Sequence, residues 1–136
     1  MKPPLSHVFA AAALAAASTP AAFAQGDPAA GKALYASRCS ACHSIDFNGT
    51  GPMHRNLFGR RAGSVPGFAY SAALKQSNVV WSEATLDRWL TDPEKFIPGQ
   101  RMFISVPDAK ERADLIAWLR VATAQPSSTT HPGASQ

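Results

Sequence analysis

The chain is 136 residues long, with a formal net charge of +4, 46% hydrophobic residues and two cysteines. That length supports one domain and not a second core of any size, and two cysteines can frame neither a disulfide-stapled scaffold nor a four-cysteine metal site. The positive residues are dispersed and their excess is small, which argues against nucleic-acid binding.

The first segment in chain order is a leader. Met1-Lys2 precedes an apolar run from Val8 to Ala17, followed by Ser18-Thr19-Pro20 and the small-residue triplet Ala22-Phe23-Ala24. This is the pattern of an export signal peptide cut near Gln25. The run is too short to span a bilayer, and no later segment is apolar for long enough either. The expected division is a signal peptide over 1–24, one soluble domain over 25–124 and a disordered tail over 125–136. The tail is assigned on its Pro, Ser, Thr and Gly content. Cleavage removes Lys2, so the formal charge of the exported chain falls to +3.

A first helix is predicted from about Asp27 to Cys42, with Asp27 as N-cap and Pro28 in the first turn. Its far end carries Cys39-Ser40-Ala41-Cys42-His43, the spacing at which two thiols can bond covalently to a haem while the adjacent imidazole faces the iron. Three other chemistries use a bare Cys-x-x-Cys: a dithiol redox pair, half of a zinc site and a structural disulfide. Zinc needs four ligands, and besides these cysteines the chain offers only His7, His43, His54 and His131, the first of them in the leader. A thioredoxin-like pair would sit beside a βαβ pattern, which is absent from the sequence.

From Ile45 to Gly67 there are five glycines and two prolines, a density that predicts a wrapped loop. Short helical pieces are predicted over Ser71 to Lys75 and over Glu83 to Leu90, the latter capped by Ser82 with Leu86, Trp89 and Leu90 on one face. A final helix is predicted from about Ala109 to Thr123, where Leu115, Ile116, Trp118, Leu119 and Ala122 form an apolar stripe. No strand stands out. A chain this small would gain from a haem an apolar core that its own side chains cannot supply, and without it would stay largely unfolded.

A haem iron held by His43 needs a second axial ligand or an open position, and that choice separates electron transfer from gas or peroxide chemistry. The candidates are Met53 and His54 in the glycine-rich loop, Met102, and His131 in the tail. Met102 is the least arbitrary of them, because it follows the Pro98-Gly99 turn on a segment with little helical pattern.

Taken together, these segments resemble the class I c-type cytochromes, most closely soluble bacterial cytochrome c2 and mitochondrial-type cytochrome c. The resemblance runs from Gly31 to Thr123. It rests on Gly31 and Tyr35, the Cys39–His43 motif, Gly51-Pro52, Asn56-Leu57-Phe58-Gly59-Arg60-Arg61-Ala62-Gly63, Pro66-Gly67-Phe68-Ala69-Tyr70-Ser71, Trp81, Asp92-Pro93, Ile97-Pro98-Gly99-Gln100-Arg101-Met102 and the run Glu111 to Leu119.

The resemblance implies an all-α class I cytochrome c fold, three main helices plus short ones wrapped around one covalent haem c. It implies thioethers at Cys39 and Cys42, His43 as proximal and Met102 as distal iron ligand, and the Pro52 carbonyl on the other ring N–H of His43. Tyr70 and Trp81 would donate to a haem propionate with Arg60 near its charge. Gly31 and Tyr35 would pack against Leu115 and Trp118, and His54 is left as a surface loop residue.

The implied function is that of a soluble, monomeric periplasmic carrier of single electrons rather than an enzyme. Its donor would be of cytochrome bc1 type and its acceptor an oxidase or reaction centre. Two alternatives are a haem subunit fixed in a larger oxidoreductase and a peroxidase or gas sensor with a labile methionine. Glu94, where relatives often carry lysine, implies a less basic docking face. Leu74, Gln100 and Trp89 depart from the usual polar pattern around the methionine.

Overall fold

The structure, a computed structural model, describes residues 25–124; the expected leader and tail lie outside the described residues. Five helices follow one another: α1 (Pro28–Arg38), α2 (Ala72–Gln76), α3 (Glu83–Thr91), α4 (Pro93–Phe96) and α5 (Ala109–Thr123). Three longer helices and two short ones make the domain all-α. The one extended pairing among the described residues is an isolated antiparallel bridge between Arg61 and Val80.

Capping explains where most of the helices begin. The Asp27 carboxylate accepts from the Ala29 N–H, with Pro28 just inside α1. Ser71 caps α2, and Ser82 and Thr85 form a reciprocal capping box on α3. The short helix α4 is absent from the sequence reading, although Asp92 as N-cap and Pro93 in the first turn are an N-terminal signature.

The end of α1 differs from expectation. The helix stops at Arg38 rather than Cys42, because the N–H groups of Cys39 and Ser40 both reach the Tyr35 carbonyl, at 2.9 and 3.0 Å. The Ser40 hydroxyl takes the Ala36 carbonyl at 2.6 Å, which an N–H would hold in a continuing helix. The cysteine motif therefore forms its own turn, with Cys42 and His43 donating to the Cys39 carbonyl at 3.0 and 2.9 Å.

Helices α1 and α5 cross at very close range. A Cβ placed on Gly31 would lie 1.9 Å from the Asp114 carbonyl oxygen and 2.8 Å from Trp118 Cβ, so only glycine fits. One turn on, the Tyr35 and Trp118 rings meet with centroids 4.4 Å apart. The Asp114 carboxylate accepts from the Asp27 N–H and from Lys110 Nζ, both at 2.7 Å, and so ties the start of α1 to α5. Helix α3 joins this pair through Asp87 and Arg112 at 2.7 Å. Arg112 also donates to the Val106 and Pro107 carbonyls at 3.0 and 2.7 Å, fixing the loop that enters α5. Leu57, Trp81, Leu86, Trp89, Leu115 and Leu119 are among the buried residues of the one core cluster.

Candidate functional site

The turn at the end of α1 presents two free thiols, Cys39 partly buried and Cys42 exposed. Burial pushes the Cys39 thiol up to about 11; neighbouring Arg38 opposes the shift and Cys42 adds to it. The turn also lies at the C-terminal end of a helix, where the macrodipole disfavours a thiolate. Reactive dithiol pairs work through depressed thiol pKa values, so this site is built against that chemistry. Among the described residues no three Cys, His, Asp or Glu side chains converge as metal ligands.

His43 is held in one tautomer. Its Nδ1 lies 2.8 Å from the Pro52 carbonyl, and since a carbonyl can only accept, Nδ1 carries the proton and Nε2 keeps a free lone pair. Burial lowers the His43 pKa, with the Pro52 hydrogen bond opposing, so the ring is neutral at ordinary pH. A neutral imidazole with its second nitrogen anchored is the form that ligates a metal. The Gly51 backbone closes on the same ring: a Cβ there would come within 2.3 Å of His43 Cε1 and 2.6 Å of Nδ1 and Nε2.

The loop beyond His43 folds back over it. Gly51 donates to the Cys42 carbonyl at 2.8 Å, His54 to Ser44 at 2.9 Å and Arg55 to Ile45 at 2.8 Å, while Asn56 reaches the Thr123 carbonyl of α5 at 2.7 Å. This return overturns the expectation that His54 is a surface loop residue. Its ring stacks on His43 with centroids 4.3 Å apart and planes 21° from parallel. The Tyr35 hydroxyl and His54 Nδ1 share a hydrogen bond at 3.1 Å. Burial first, then His43 and Arg60, push the His54 pKa down to about 3. The sequence signal was its place two residues after Pro52, in a loop that must return to His43, with Tyr35 one turn before the motif.

Arg60 and Tyr70 lie within range of each other's charge, and Trp81 is tied to Arg60 through the backbone. The Trp81 backbone N–H donates to the Arg60 carbonyl at 2.9 Å, next to the Arg61–Val80 bridge. Arg60 donates through Nη1 to the Arg55 carbonyl and through Nη2 to the Met53 carbonyl, at 3.0 Å for the latter. Its Nε is buried without a protein partner. Burial raises the Tyr70 pKa, opposed by hydrogen bonding with the Val65 backbone and by the Arg60 charge. A guanidinium with an unpartnered buried donor, near a protonated phenol, suits a carboxylate.

Met102 is partly buried and packed against the core cluster. The two polar departures flagged in the sequence act together on its segment. The Glu94 carboxylate accepts from the Gly99 N–H at 2.9 Å and from Gln100 Nε2 at 3.3 Å. Buried Gln100 in turn accepts the Met102 N–H through its Oε1. Beyond Met102 the chain turns apolar and outward, with Phe103 86% exposed.

These residues fit a covalently held haem c. Two thiols and a ligation-ready imidazole stand on one turn, a glycine cradle faces the imidazole, and an unpartnered guanidinium Nε is available to a propionate.

Comparison with known proteins agrees. The cytochrome c family model matches residues 28–123. The chain is 43% identical over 103 residues to a cytochrome c of Sesamum indicum, covering 73% of this chain and 93% of the relative. It is 42% identical over 102 residues to the cytochrome c2 of Rhodomicrobium vannielii, covering 72% and 81%. Among solved structures it is similar to cytochrome cH from Methylobacterium extorquens, with a TM-score of 0.67 and 43% identity, over 71% of this chain and 99% of that one.

Proposed function

The chain belongs to the cytochrome c family of monohaem electron carriers and has the class I fold, and we propose that it shuttles single electrons between redox proteins outside the cytoplasm. The observation that carries this reading is His43, with Nδ1 on the Pro52 carbonyl and Nε2 free, on the same turn as Cys39 and Cys42. In this reading Cys39 and Cys42 would hold haem c through thioethers, and His43 and Met102 would ligate its iron. When bound, the haem supplies a one-electron Fe(III)/Fe(II) couple, whose potential a thioether ligand raises.

The protein's part is to hold that couple with little rearrangement. Tyr35, Trp118 and the crossing at Gly31 fix α1, and therefore the turn that carries both thiols and His43. Arg60, Tyr70 and Trp81 supply donors and positive charge for a propionate. Ligation by both His43 and Met102 would leave no open site for oxygen or peroxide, as a carrier rather than an enzyme requires.

The similarity to a cytochrome c2 supports a bacterial, periplasmic setting. In this reading the donor is of cytochrome bc1 type and the acceptor an oxidase or reaction centre. No helix among the described residues is long and apolar enough to cross a membrane, in keeping with a diffusible form. The test is optical redox titration of the haem-loaded protein and its Met102→His variant. The oxidised parent should show a weak sulfur-to-iron charge-transfer band; the variant should lose it and titrate at a much lower potential with haem still attached. An unchanged potential would remove Met102 as a ligand and reopen the enzyme reading.

A further inference from the structure

One partly buried side chain at the site belongs neither to the cysteine motif nor to the residues that carry the family resemblance. His54 lies against His43 with ring centroids 4.3 Å apart and planes 21° from parallel. It is held there from two directions. Its backbone N–H donates to the Ser44 carbonyl at 2.9 Å, and its Nδ1 shares a hydrogen bond with the Tyr35 hydroxyl at 3.1 Å. Tyr35 meets the His54 ring edge-on, at 5.7 Å and 67°, and packs its own ring on Trp118 of α5. The chain of contact thus runs from α5 through Tyr35 and His54 to the face of His43.

The Pro52 hydrogen bond fixes where His43 Nδ1 points and the Gly51 backbone closes on the ring, but neither lays a flat surface against its face. A flat ring stacked there fixes its plane. The plane of an axial imidazole matters electronically. In low-spin Fe(III) it selects the iron d orbital that carries the unpaired electron, and so the distribution of spin over the haem.

We propose that His54 is a positioning residue for the axial ligand: buttressed by Tyr35, it sets the plane of the His43 imidazole and thereby the electronic orientation of the haem iron. Groups that orient a ligand without touching the metal commonly tune it in this way. The inference rests on His43 being the proximal ligand.

The experiment compares the oxidised, haem-loaded parent with His54→Leu, Tyr35→Phe and Leu86→Val, reading the proton NMR shifts of the four haem methyl groups. His54→Leu keeps apolar bulk but removes the stack and the hydrogen bond. Tyr35→Phe leaves the stack and removes only its buttress. Leu86→Val is a buried α3 change that loosens the core while leaving His43, His54 and Tyr35 in place.

His54→Leu should redistribute the four methyl shifts, Tyr35→Phe should move them in the same sense by less, and Leu86→Val should keep the parent pattern. A parent pattern in His54→Leu, or the same redistribution in Leu86→Val, overturns the proposal. If His54→Leu does not take up haem, Tyr35→Phe decides alone, and a parent pattern there overturns it. A parent protein lacking the shifted ring protons of a ligated histidine would instead defeat the ligation reading, and the role of His54 with it.

Discussion

Replacing Gly31 with alanine sets two effects of opposite sign against each other. Helix propensity alone favours alanine inside a helix by about 1 kcal/mol. The packing at this position opposes it, because the added Cβ would sit 1.9 Å from the Asp114 carbonyl oxygen, 2.5 Å from its carbon and 2.8 Å from Trp118 Cβ. The obstacle is backbone in the interior of α5, so no rotamer change clears it. To restore an ordinary contact near 3.4 Å the two helices must part locally by about 1.5 Å, which also loosens the Tyr35–Trp118 contact.

Overpacking of a tight core costs roughly 1 to 3 kcal/mol, and loss of close packing along the crossing adds to it. The net expectation is a destabilisation of about 1 to 2 kcal/mol. For a domain of this size that is a fall in Tm of roughly 5 to 15 °C. Guanidinium and thermal unfolding of both haem-loaded proteins, followed by far-UV circular dichroism, would measure it. A Gly31→Ala protein as stable as its parent, or more so, would refute the close crossing as the reason for glycine.

Three further outcomes follow from the site and its supports. Gly51→Ala places a methyl group against the His43 ring; it should impair haem incorporation during expression, measured as the haem-to-protein ratio, far more than it perturbs helix content. Gln100→Ala removes the acceptor that holds the Met102 N–H and the amide that bonds Glu94. It should weaken the sulfur-to-iron charge-transfer band and lower the temperature at which that band disappears, while leaving the thioethers intact. Asp114 is held below the usual carboxylate range by its hydrogen bond with Lys110 and the Asp27 N–H. With the folded-state pKa below the unfolded value of 3.8, this interaction stabilises fully above that pH and is lost as the pH falls below it toward the lowered folded value. The stability gap between parent and Asp114→Asn should therefore be flat at neutral and mildly acidic pH and close below about pH 4; a gap independent of pH would refute it.

Much of this architecture was legible because it rests on local chemistry. Asp27 and Ser82 announce helix starts through side chains that cap the first turn, and the final helix matches its apolar stripe from Ala109 to Thr123. The Cys39–His43 spacing names its chemistry within five residues. What was not legible depends on competition or on return of the chain. The stop at Arg38 is decided by the Ser40 hydroxyl taking a carbonyl from the backbone, an outcome that helix propensity does not register. The position of His54 depends on a loop closing through hydrogen bonds to Ser44 and Ile45, whereas the resemblance, with Met102 as the better placed ligand, left it at the surface.

The two polar departures around Met102 explain each other once the turn is seen in three dimensions. Glu94 spends its acceptors on the Gly99 N–H and the Gln100 amide, and Gln100 passes the constraint on to the Met102 N–H. A carboxylate that looks, by sequence alone, like a loss of docking charge is therefore also a clamp on the segment that presents the methionine. The surface beyond it carries exposed Phe103 and Ile104 rather than added lysine. Complementary charge sets encounter rate more than final affinity, so a face of this composition should form complexes whose rates depend weakly on salt and whose lifetimes depend on apolar contact.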